Sequence, residues 1–409
     1  MPRASRWAAA RSRRRSPATD SERRGVTVFE ALRRRHGGPV DALYRPAAAA
    51  PMMPRGHCRA AVPVGRLSLF LCLLVSLLAP ALQAAAERLP VDGAWQEAVV
   101  SVRDLDAVAA FFEQVAGYET IGGGTVDSGM LAYYRLPAAA SARYRLLRKP
   151  GTTAGYLRLL RFDNVRQQPI RIGARAWDTG GFFSLMTRGR NLGLLYDEAL
   201  AMGWHAESEP VQFDFGDIKL RNVVLKGPDG INIAVYERIT PPLANWPAFD
   251  RLTQPFNAMQ MVRDADAAYA FYKEVLGFEV FWRGDYLDPA PATNNFGIPQ
   301  NLVTEVPRRT AIMYPVPGET GRVEVMQFQG LDGRDVSSRA VPPNLGILSL
   351  RFPVGDLDAR QRAIKAGGVG AYYRPARLAL PPYGDVTMFG VRSPDGALIE
   401  FFEQAGEPP

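Results

Sequence analysis

Histidine and cysteine, which often act as metal ligands, bases or nucleophiles, are scarce in this chain of 409 residues. Its only histidines are His36, His57 and His205, and its only cysteines are Cys58 and Cys72. Too few imidazoles and thiolates remain after position 72 for a zinc site or for a two-histidine, one-carboxylate iron site. The sequence therefore disfavours zinc, iron and cysteine nucleophiles, and His205, which follows a helix-ending glycine, is predicted to be a surface residue.

The motifs that must position any remaining chemistry occur twice. An Arg-Asp-x-Asp helix start and a Gly-aromatic-Glu helix end repeat at an offset of 160 residues, and a Pro-Asp-Gly turn precedes the final strand of each copy. The copies lie at 103–106 and 263–266, at 117–119 and 277–279, and at 228–230 and 394–396. A long internal repeat fixes the domain organisation before any residue chemistry is considered.

Hydrophobic periodicity within each copy predicts two β-α-β-β-β units. Asp104 is placed to cap the first helix, whose apolar residues recur at helical spacing until Gly117 ends it. Strands are predicted after it at 130–136, 142–149 and 155–162. The chain thus divides into a first domain at 95–238, a Pro-rich linker at 239–255 and a second domain at 256–405.

The motif order resembles that of the vicinal oxygen chelate superfamily, which includes glyoxalase I, bleomycin-resistance proteins and extradiol dioxygenases. The resemblance covers nearly all of 95–405. It implies an α+β fold in which four βαβββ units pair into two eight-stranded half-barrel cups. Each sequence half is expected to form one cup, with its ligand on the concave face.

The resemblance also implies four inward positions per cup where the metal enzymes of the family place ligands. Two lie on the first strands and two on the last strands of the paired units. In the first half these positions fall on Glu97, Arg158, Phe182 and Ala234. An arginine, a phenylalanine and an alanine do not form a metal site, and Glu97 and Arg158 are predicted to form an internal ion pair. Alternatively, Arg158 receives an anionic ligand.

In the second half the same positions fall on Asn257, Glu324, Ile347 and Glu400. Two inward carboxylates would bind a cationic or polyhydroxylated molecule, and one could act as a general base. Phe402, on the same strand face as Glu400, and Tyr286 would add stacking area.

Two other interpretations of this second-half set stay open. Glu324, Glu400 and Asn257 could bind Mg²⁺, Mn²⁺ or Ca²⁺, as in a divalent-metal-dependent lyase or isomerase of the glyoxalase type. Otherwise these side chains are solvated at the rim of a cup without chemistry, and the chain is a non-catalytic periplasmic binding or interaction module. The preferred prediction is an exported, glyoxalase-like protein that binds a small molecule without a histidine-based metal site. Whether it is an enzyme, and its oligomeric state, are left open.

The N-terminal region is predicted to be separate from the repeats. Residues 1–66 hold 15 Arg and 4 acidic residues, although the whole chain has a formal charge of +8, so the remainder is mildly acidic and nucleic-acid binding is disfavoured. Residues 1–51 read as a disordered leader, or as untranslated sequence if synthesis starts at Met52 or Met53. Residues 52–86 read as a signal peptide with an apolar run at 67–79. The mature chain is then periplasmic or extracellular, without a stable membrane span; an uncleaved signal would instead leave it membrane-anchored.

The second half also carries an insertion at 285–303 that has no counterpart in the first half. It is rich in proline and asparagine, with Pro289, Pro291 and Asn294-Asn295. Loops of this length without regular structure are often functional lids. A solvated loop without a role is the alternative.

Overall fold

The computed structural model describes residues 92–243 and 246–405. The leader, the signal peptide and the apolar run at 67–79 lie outside the described residues. Within the described residues, no helix has the length and apolar character needed to cross a membrane.

The described chain forms four consecutive units, each with one strand, a helix and three further strands. Unit 1 comprises β1 (Glu97–Ser101), α1 (Leu105–Gln114), β2 (Glu119–Thr125), α2 (Ser128–Tyr133), β3 (Ser141–Arg148) and β4 (Tyr156–Asp163). Unit 2 comprises β5 (Ser184–Arg188), α3 (Leu192–Ala201), β6 (Val211–Phe215), β7 (Ile218–Lys226) and β8 (Asn232–Thr240).

Units 3 and 4 repeat this plan. Unit 3 comprises β9 (Asn257–Met261), α4 (Ala265–Ala270), which continues into a wider turn at Phe271–Val275, β10 (Glu279–Tyr286), β11 (Arg308–Tyr314) and β12 (Arg322–Phe328). Unit 4 comprises β13 (Gly346–Pro353), α5 (Leu357–Ala366), β14 (Tyr373–Ala379), β15 (Asp385–Arg392) and β16 (Leu398–Gln404). The predicted α+β fold with two eight-stranded half-barrels is confirmed.

The units do not pair in sequence order. One sheet has the order β14-β15-β16-β13-β1-β4-β3-β2 and joins units 1 and 4, which we call the outer cup. The other has the order β10-β11-β12-β9-β5-β8-β7-β6 and joins units 2 and 3, the inner cup. In each cup the first strands of two units pair antiparallel, β1 with β13 and β5 with β9. The prediction that each sequence half forms its own cup is therefore wrong, because each half contributes one unit to each sheet.

The repeated motifs explain why each sequence half still holds together. The backbone N–H of Arg103, in unit 1, donates to Asp229 in the Pro-Asp-Gly turn of unit 2 at 2.7 Å, and the guanidinium adds a bond of 2.8 Å. Arg263 and Asp395 repeat this contact between units 3 and 4, with a backbone bond of 3.0 Å. Both aspartates are buried. The Arg-Asp and Pro-Asp-Gly motifs thus form one hydrogen-bonded contact between the two units of each half.

The helices pack together and close the main core. Phe111 of α1 stacks on Trp204, which follows α3, with ring centroids 3.8 Å apart. Asp104 caps α1 by accepting from the backbone N–H groups of Asp106 and Ala107, as predicted. His205 is exposed, also as predicted.

One local prediction in unit 1 is wrong. The segment predicted as a strand at 130–136 begins within helix α2, while the actual strand β2 was missed. The sequence of β2 contains Gly122, Gly123 and Gly124, and glycine is depleted in strands because it has no side chain to pack. Helix α2 lies against β14 of the outer cup, where its side chains enter the concave face.

Candidate functional site

The concave face of the outer cup is filled by a buried ion network. Arg158 Nε donates to Glu97 Oε1 at 2.7 Å, and Arg351 Nη1 donates to the same oxygen at 2.6 Å. Burial alone would raise the pKa of Glu97, but Arg158 and Arg351 together hold it below its usual range. The predicted ion pair between Glu97 and Arg158 is confirmed, and it includes a second arginine that the sequence did not indicate.

Glu400 belongs to the same network. Its Oε2 accepts from Ser349 Oγ at 2.6 Å and from Arg351 Nε at 3.0 Å, so Arg351 lies between the carboxylates of Glu97 and Glu400. All three charged side chains are completely buried. Tyr134, beyond the end of α2, receives a further bond from Arg351 at 2.7 Å. Most hydrogen bonds of this network are made within the protein, while Glu400 Oε1 is buried without a hydrogen-bond partner. The network fills this part of the outer cup with buried charged side chains.

Phe402 also lies in the outer cup. It is fully buried and stacks on Tyr383, with ring centroids 5.5 Å apart, while the Tyr383 hydroxyl donates to Glu97 at 3.2 Å. The predicted site that combined Glu324, Glu400 and Asn257 is wrong. Glu400 is on β16 of the outer cup, whereas Glu324 and Asn257 are on β12 and β9 of the inner cup.

The concave face of the inner cup encloses a cavity of about 310 Å³. Volumes of this order are at the small end of typical ligand pockets. Apolar side chains from the strands of the inner cup form most of the cavity wall. They include Met186, Phe213, Met259, Trp282 and Ile312.

Glu324 and Asn257 face this cavity from neighbouring parallel strands. Asn257 Nδ2 donates to Glu324 Oε2 at 3.0 Å, and Asn257 Oδ1 is buried without a hydrogen-bond partner. Burial raises the pKa of Glu324 to about 7, against the opposing hydrogen bond from Asn257. The carboxyl group can therefore accept or release a proton near neutral pH, and the unpaired amide oxygen can accept a bond from a ligand hydroxyl.

Arginines form one part of the cavity wall. Arg188, Arg238 and Arg322 line the cavity together with Tyr236. Arg188 is 9% exposed, and its guanidinium lies 4.6 Å from the ring centre of Phe256. Burial raises the pKa of Tyr236 well above its usual range, so its hydroxyl remains a hydrogen-bond donor. This end of the cavity is suited to accepting negative charge.

The insertion at 285–303 lies along the cavity. Tyr286 lines the wall, its ring is 4.5 Å from the guanidinium of Arg308, and its hydroxyl donates to Asp288 at 3.2 Å. Arg308 and Asp288 form an ion pair. Phe296, further along the insertion, packs edge-on against Phe328 at 5.3 Å. The insertion is therefore bound to the cup by its own side chains and contributes to the cavity.

The donors in the inner cup do not fit a divalent ion. Mg²⁺ and Ca²⁺ take six or more oxygen ligands, several of them carboxylates or waters. Met186 on β5 is paired directly with Asn257 on β9, and Met259 on β9 is paired with Glu324 on β12. Thioethers therefore occupy the places where further oxygen ligands would be needed. In the part of the chain that the structure describes, no three His, Cys, Asp or Glu side chains are grouped to bind a metal.

The relation to known proteins agrees with this architecture. Residues 255–401 match the sequence model of the glyoxalase/bleomycin resistance protein/dioxygenase superfamily. The predicted resemblance to the vicinal oxygen chelate superfamily is confirmed. No curated protein matches the chain in sequence.

Two solved structures share the fold of this chain. One is a glutamate-to-glutamine variant of glyoxalase I from Zea mays, with a TM-score of 0.53 and 15% identity over 76% of this chain and 94% of that chain. The other is glyoxalase I from Zea mays, with a TM-score of 0.52 and 15% identity over 76% and 92% of the two chains. At this identity the similarity concerns the fold alone.

The sequence did not single out the cavity arginines, although a signal was present. Side chains of a strand alternate between its two faces. Arg188 is two residues after Met186, Arg238 two after Tyr236, and Arg322 two before Glu324. Each arginine therefore shares the inward face of its strand with a residue that lines the cavity. For Arg322 the signal was present in the sequence, because Glu324 was already a predicted site residue.

Proposed function

We propose that the inner cup binds a small organic molecule and that Glu324 transfers a proton on it without a metal ion. The observation that carries this proposal is the position of Glu324, which is 8% exposed in a largely apolar cavity and has a pKa raised to about 7. General bases are most effective when their pKa lies near the working pH. Perturbed carboxyl groups in cavities are candidates for this role.

The polar groups beside Glu324 indicate the type of substrate. The unpaired Asn257 Oδ1 would accept a hydrogen bond from a hydroxyl group, which places the adjacent C–H bond next to the carboxylate. We infer that the substrate is a hydroxycarbonyl compound. Glu324 takes the C–H proton from the carbon that bears the hydroxyl group, a C=C bond forms to the carbonyl carbon, and the carbonyl electron pair moves onto its oxygen. Return of the proton to the former carbonyl carbon, with transfer of the hydroxyl proton to that oxygen, gives the isomeric hydroxycarbonyl compound without any added oxidant or reductant.

Tyr236 would support this step as a hydrogen-bond donor. Its phenol lies near both Glu324 and Arg188, which both act on its pKa. Because burial keeps the phenol protonated, its hydroxyl can donate to the oxygen on which negative charge develops. Asn257 would act as a positioning residue, since its amide already holds one oxygen of Glu324.

Deuterium exchange tests the proposal directly. The protein is incubated in D₂O with hydroxyacetone, dihydroxyacetone and 2-hydroxyacetophenone, and loss of the C–H signal is followed by NMR. We expect exchange that Glu324→Gln slows by about 100-fold or more, the lower end of general-base contributions. The exposed Glu279→Gln variant is the control. Exchange rates that are the same for wild type and Glu324→Gln would reject proton transfer and favour a binding protein without turnover.

We also propose that the protein is exported. The support is the arginine-rich segment before the apolar run at 67–79 and the small residues at 84–86 that follow it. An exported chain without cysteine after position 72 would not depend on the redox state of its compartment.

A further inference from the structure

Three arginines at one end of the inner cavity outnumber the acidic groups that face them. Arg188 Nη2 lies 3.9 Å from Glu319 Oε2, and Arg322 Nη2 lies 3.5 Å from the same oxygen. Arg238 also lines the cavity and is close enough to Arg188 and Glu319 to interact electrostatically with both. One carboxylate thus faces three guanidinium groups, which leaves an excess of positive charge at a site partly removed from water.

Two of these arginines, Arg188 and Arg238, are also incompletely hydrogen-bonded. The Nε atoms of Arg188 and Arg238 are buried and have no hydrogen-bond partner. An unpaired buried donor costs about 1 to 3 kcal/mol, more when it is charged. Proteins rarely keep such donors unless another group satisfies them. A ligand oxyanion at this end of the cavity would place an acceptor beside both guanidinium groups.

Aromatic side chains hold the guanidinium of Arg188 in place. It lies 4.6 Å from the ring centre of Phe256 and 5.1 Å from that of Trp246. Arg322 is held in the same way, 4.0 Å from the ring centre of Phe281. Stacked guanidinium groups are fixed before a ligand arrives, so less side-chain entropy is lost on binding. Burial and the neighbouring arginines lower the pKa of Arg188 to about 10, while Glu319 opposes this, so the side chain stays charged at neutral pH.

We propose that the inner cup recognises small organic anions, with a carboxylate, sulfonate or phosphate held by Arg188 and Arg238 and an apolar body lying along Met186 and Met259 towards Glu324. This inference rests on the proposed function and adds the substrate class. The charged group of the ligand anchors it at the arginine end, while its reacting carbon lies beside Glu324. A hydroxycarbonyl compound with an anionic substituent meets both conditions.

Two fluorescent probes that differ in a single charged group test this. 1-Anilinonaphthalene-8-sulfonate and the neutral N-phenyl-1-naphthylamine share their aromatic body, and both are titrated against the full chain. The measured quantity is the ratio of the two dissociation constants, because a general loss of folding changes both. We expect Arg188→Gln and Arg238→Gln each to reduce the preference for the anion by about tenfold, the usual effect of losing one charge-assisted hydrogen bond.

The control is Arg374→Gln. Arg374 is exposed and lines an open groove beside α2 with Arg135 and Arg377, which is another basic depression where an anionic dye could bind. An unchanged ratio in both cavity variants, or a fall in the ratio only in Arg374→Gln, would overturn the proposal.

The dye titration and the deuterium exchange test the anion site and the proton transfer independently. A charge preference that depends on Arg188 and Arg238, without deuterium exchange, rejects proton transfer but keeps the anion site. Exchange that depends on Glu324, without an arginine-dependent preference, keeps the proposed function and rejects the anion site.

Discussion

Replacing Glu324 by glutamine should stabilise the folded protein, and should do so increasingly as the pH rises. Glutamine keeps the size of the side chain and the carbonyl oxygen that accepts from Asn257, but it cannot ionise. The change therefore isolates the cost of a buried negative charge. This cost is what a catalytic carboxyl group with a raised pKa must impose on stability.

The magnitude follows from the pKa of Glu324, which rises from its ordinary value of 4.5 to about 7 on folding. The folded protein binds this proton more tightly than the unfolded chain, so the stabilisation is complete below pH 4.5 and is lost as the pH rises through 7. Each pKa unit corresponds to about 1.4 kcal/mol, so the full cost above pH 7 is about 3 kcal/mol. Most of it develops between pH 5 and pH 8.

Urea denaturation at a series of pH values measures this effect. We expect the difference in unfolding free energy between Glu324→Gln and wild type to grow by about 2 to 3 kcal/mol from pH 5 to pH 8. Glu279→Gln, at an exposed position of β10, should show no such trend. Parallel stability curves for wild type and Glu324→Gln would refute the reasoning, because the carboxyl group would then titrate alike in the folded and unfolded states.

Four further outcomes are expected. Arg351→Met leaves the buried carboxylates of Glu97 and Glu400 without their shared cation and should lower the unfolding free energy by about 3 to 5 kcal/mol in urea; a loss under about 1 kcal/mol would contradict the ion network. Asp104→Ala removes the cap of α1 and should cost about 1 kcal/mol in the same assay, whereas no change would mean that the cap bonds are replaced by water. Treatment with a chelator should leave the melting temperature and dye binding unchanged, and one equivalent of a divalent ion by elemental analysis would contradict a metal-free site. If the protein is exported as proposed, sequencing the N-terminus of the purified protein should find cleavage close to residue 86, while recovery of Met1 would reject the signal peptide.

The fold could be predicted because its signals are local and repeated. Asp104 and Asp264 cap equivalent helices, and the Pro-Asp-Gly turns end equivalent units. Capping residues, turn residues and apolar periodicity all act over a few positions, so the sequence shows them directly. The strand β2 escaped detection because its three consecutive glycines carry no side-chain pattern.

The pairing of units could not be predicted in the same way. A first strand such as β1 can pair with any other first strand, and the choice depends on contacts between residues far apart in the chain. Glu97, for example, bonds to Arg351 across 254 residues. The family resemblance implied that two βαβββ units pair into one cup, but it did not indicate which unit pairs with which. Grouping Glu324 with Glu400 followed from this wrong pairing.

Part of the site was nevertheless accessible from the sequence. Asn257, Glu324 and Tyr286 all line the cavity that the structure shows. Arg188, Arg238 and Arg322 lie outside the four positions per cup that the family resemblance implies, so the resemblance did not indicate them. In the outer cup, Arg351 could not be recognised as the partner of both Glu97 and Glu400, since its role depends on the pairing of units 1 and 4.

We propose that the inner cup binds ligands, whereas a buried ion network fills the outer cup. A crystal structure of the protein with 1-anilinonaphthalene-8-sulfonate tests this most directly. We predict density in the inner cavity, with the sulfonate at Arg188 and Arg238 and the rings beside Met186. Dye density between Glu97 and Glu400, or dye bound elsewhere with none in the inner cavity, would contradict this proposal.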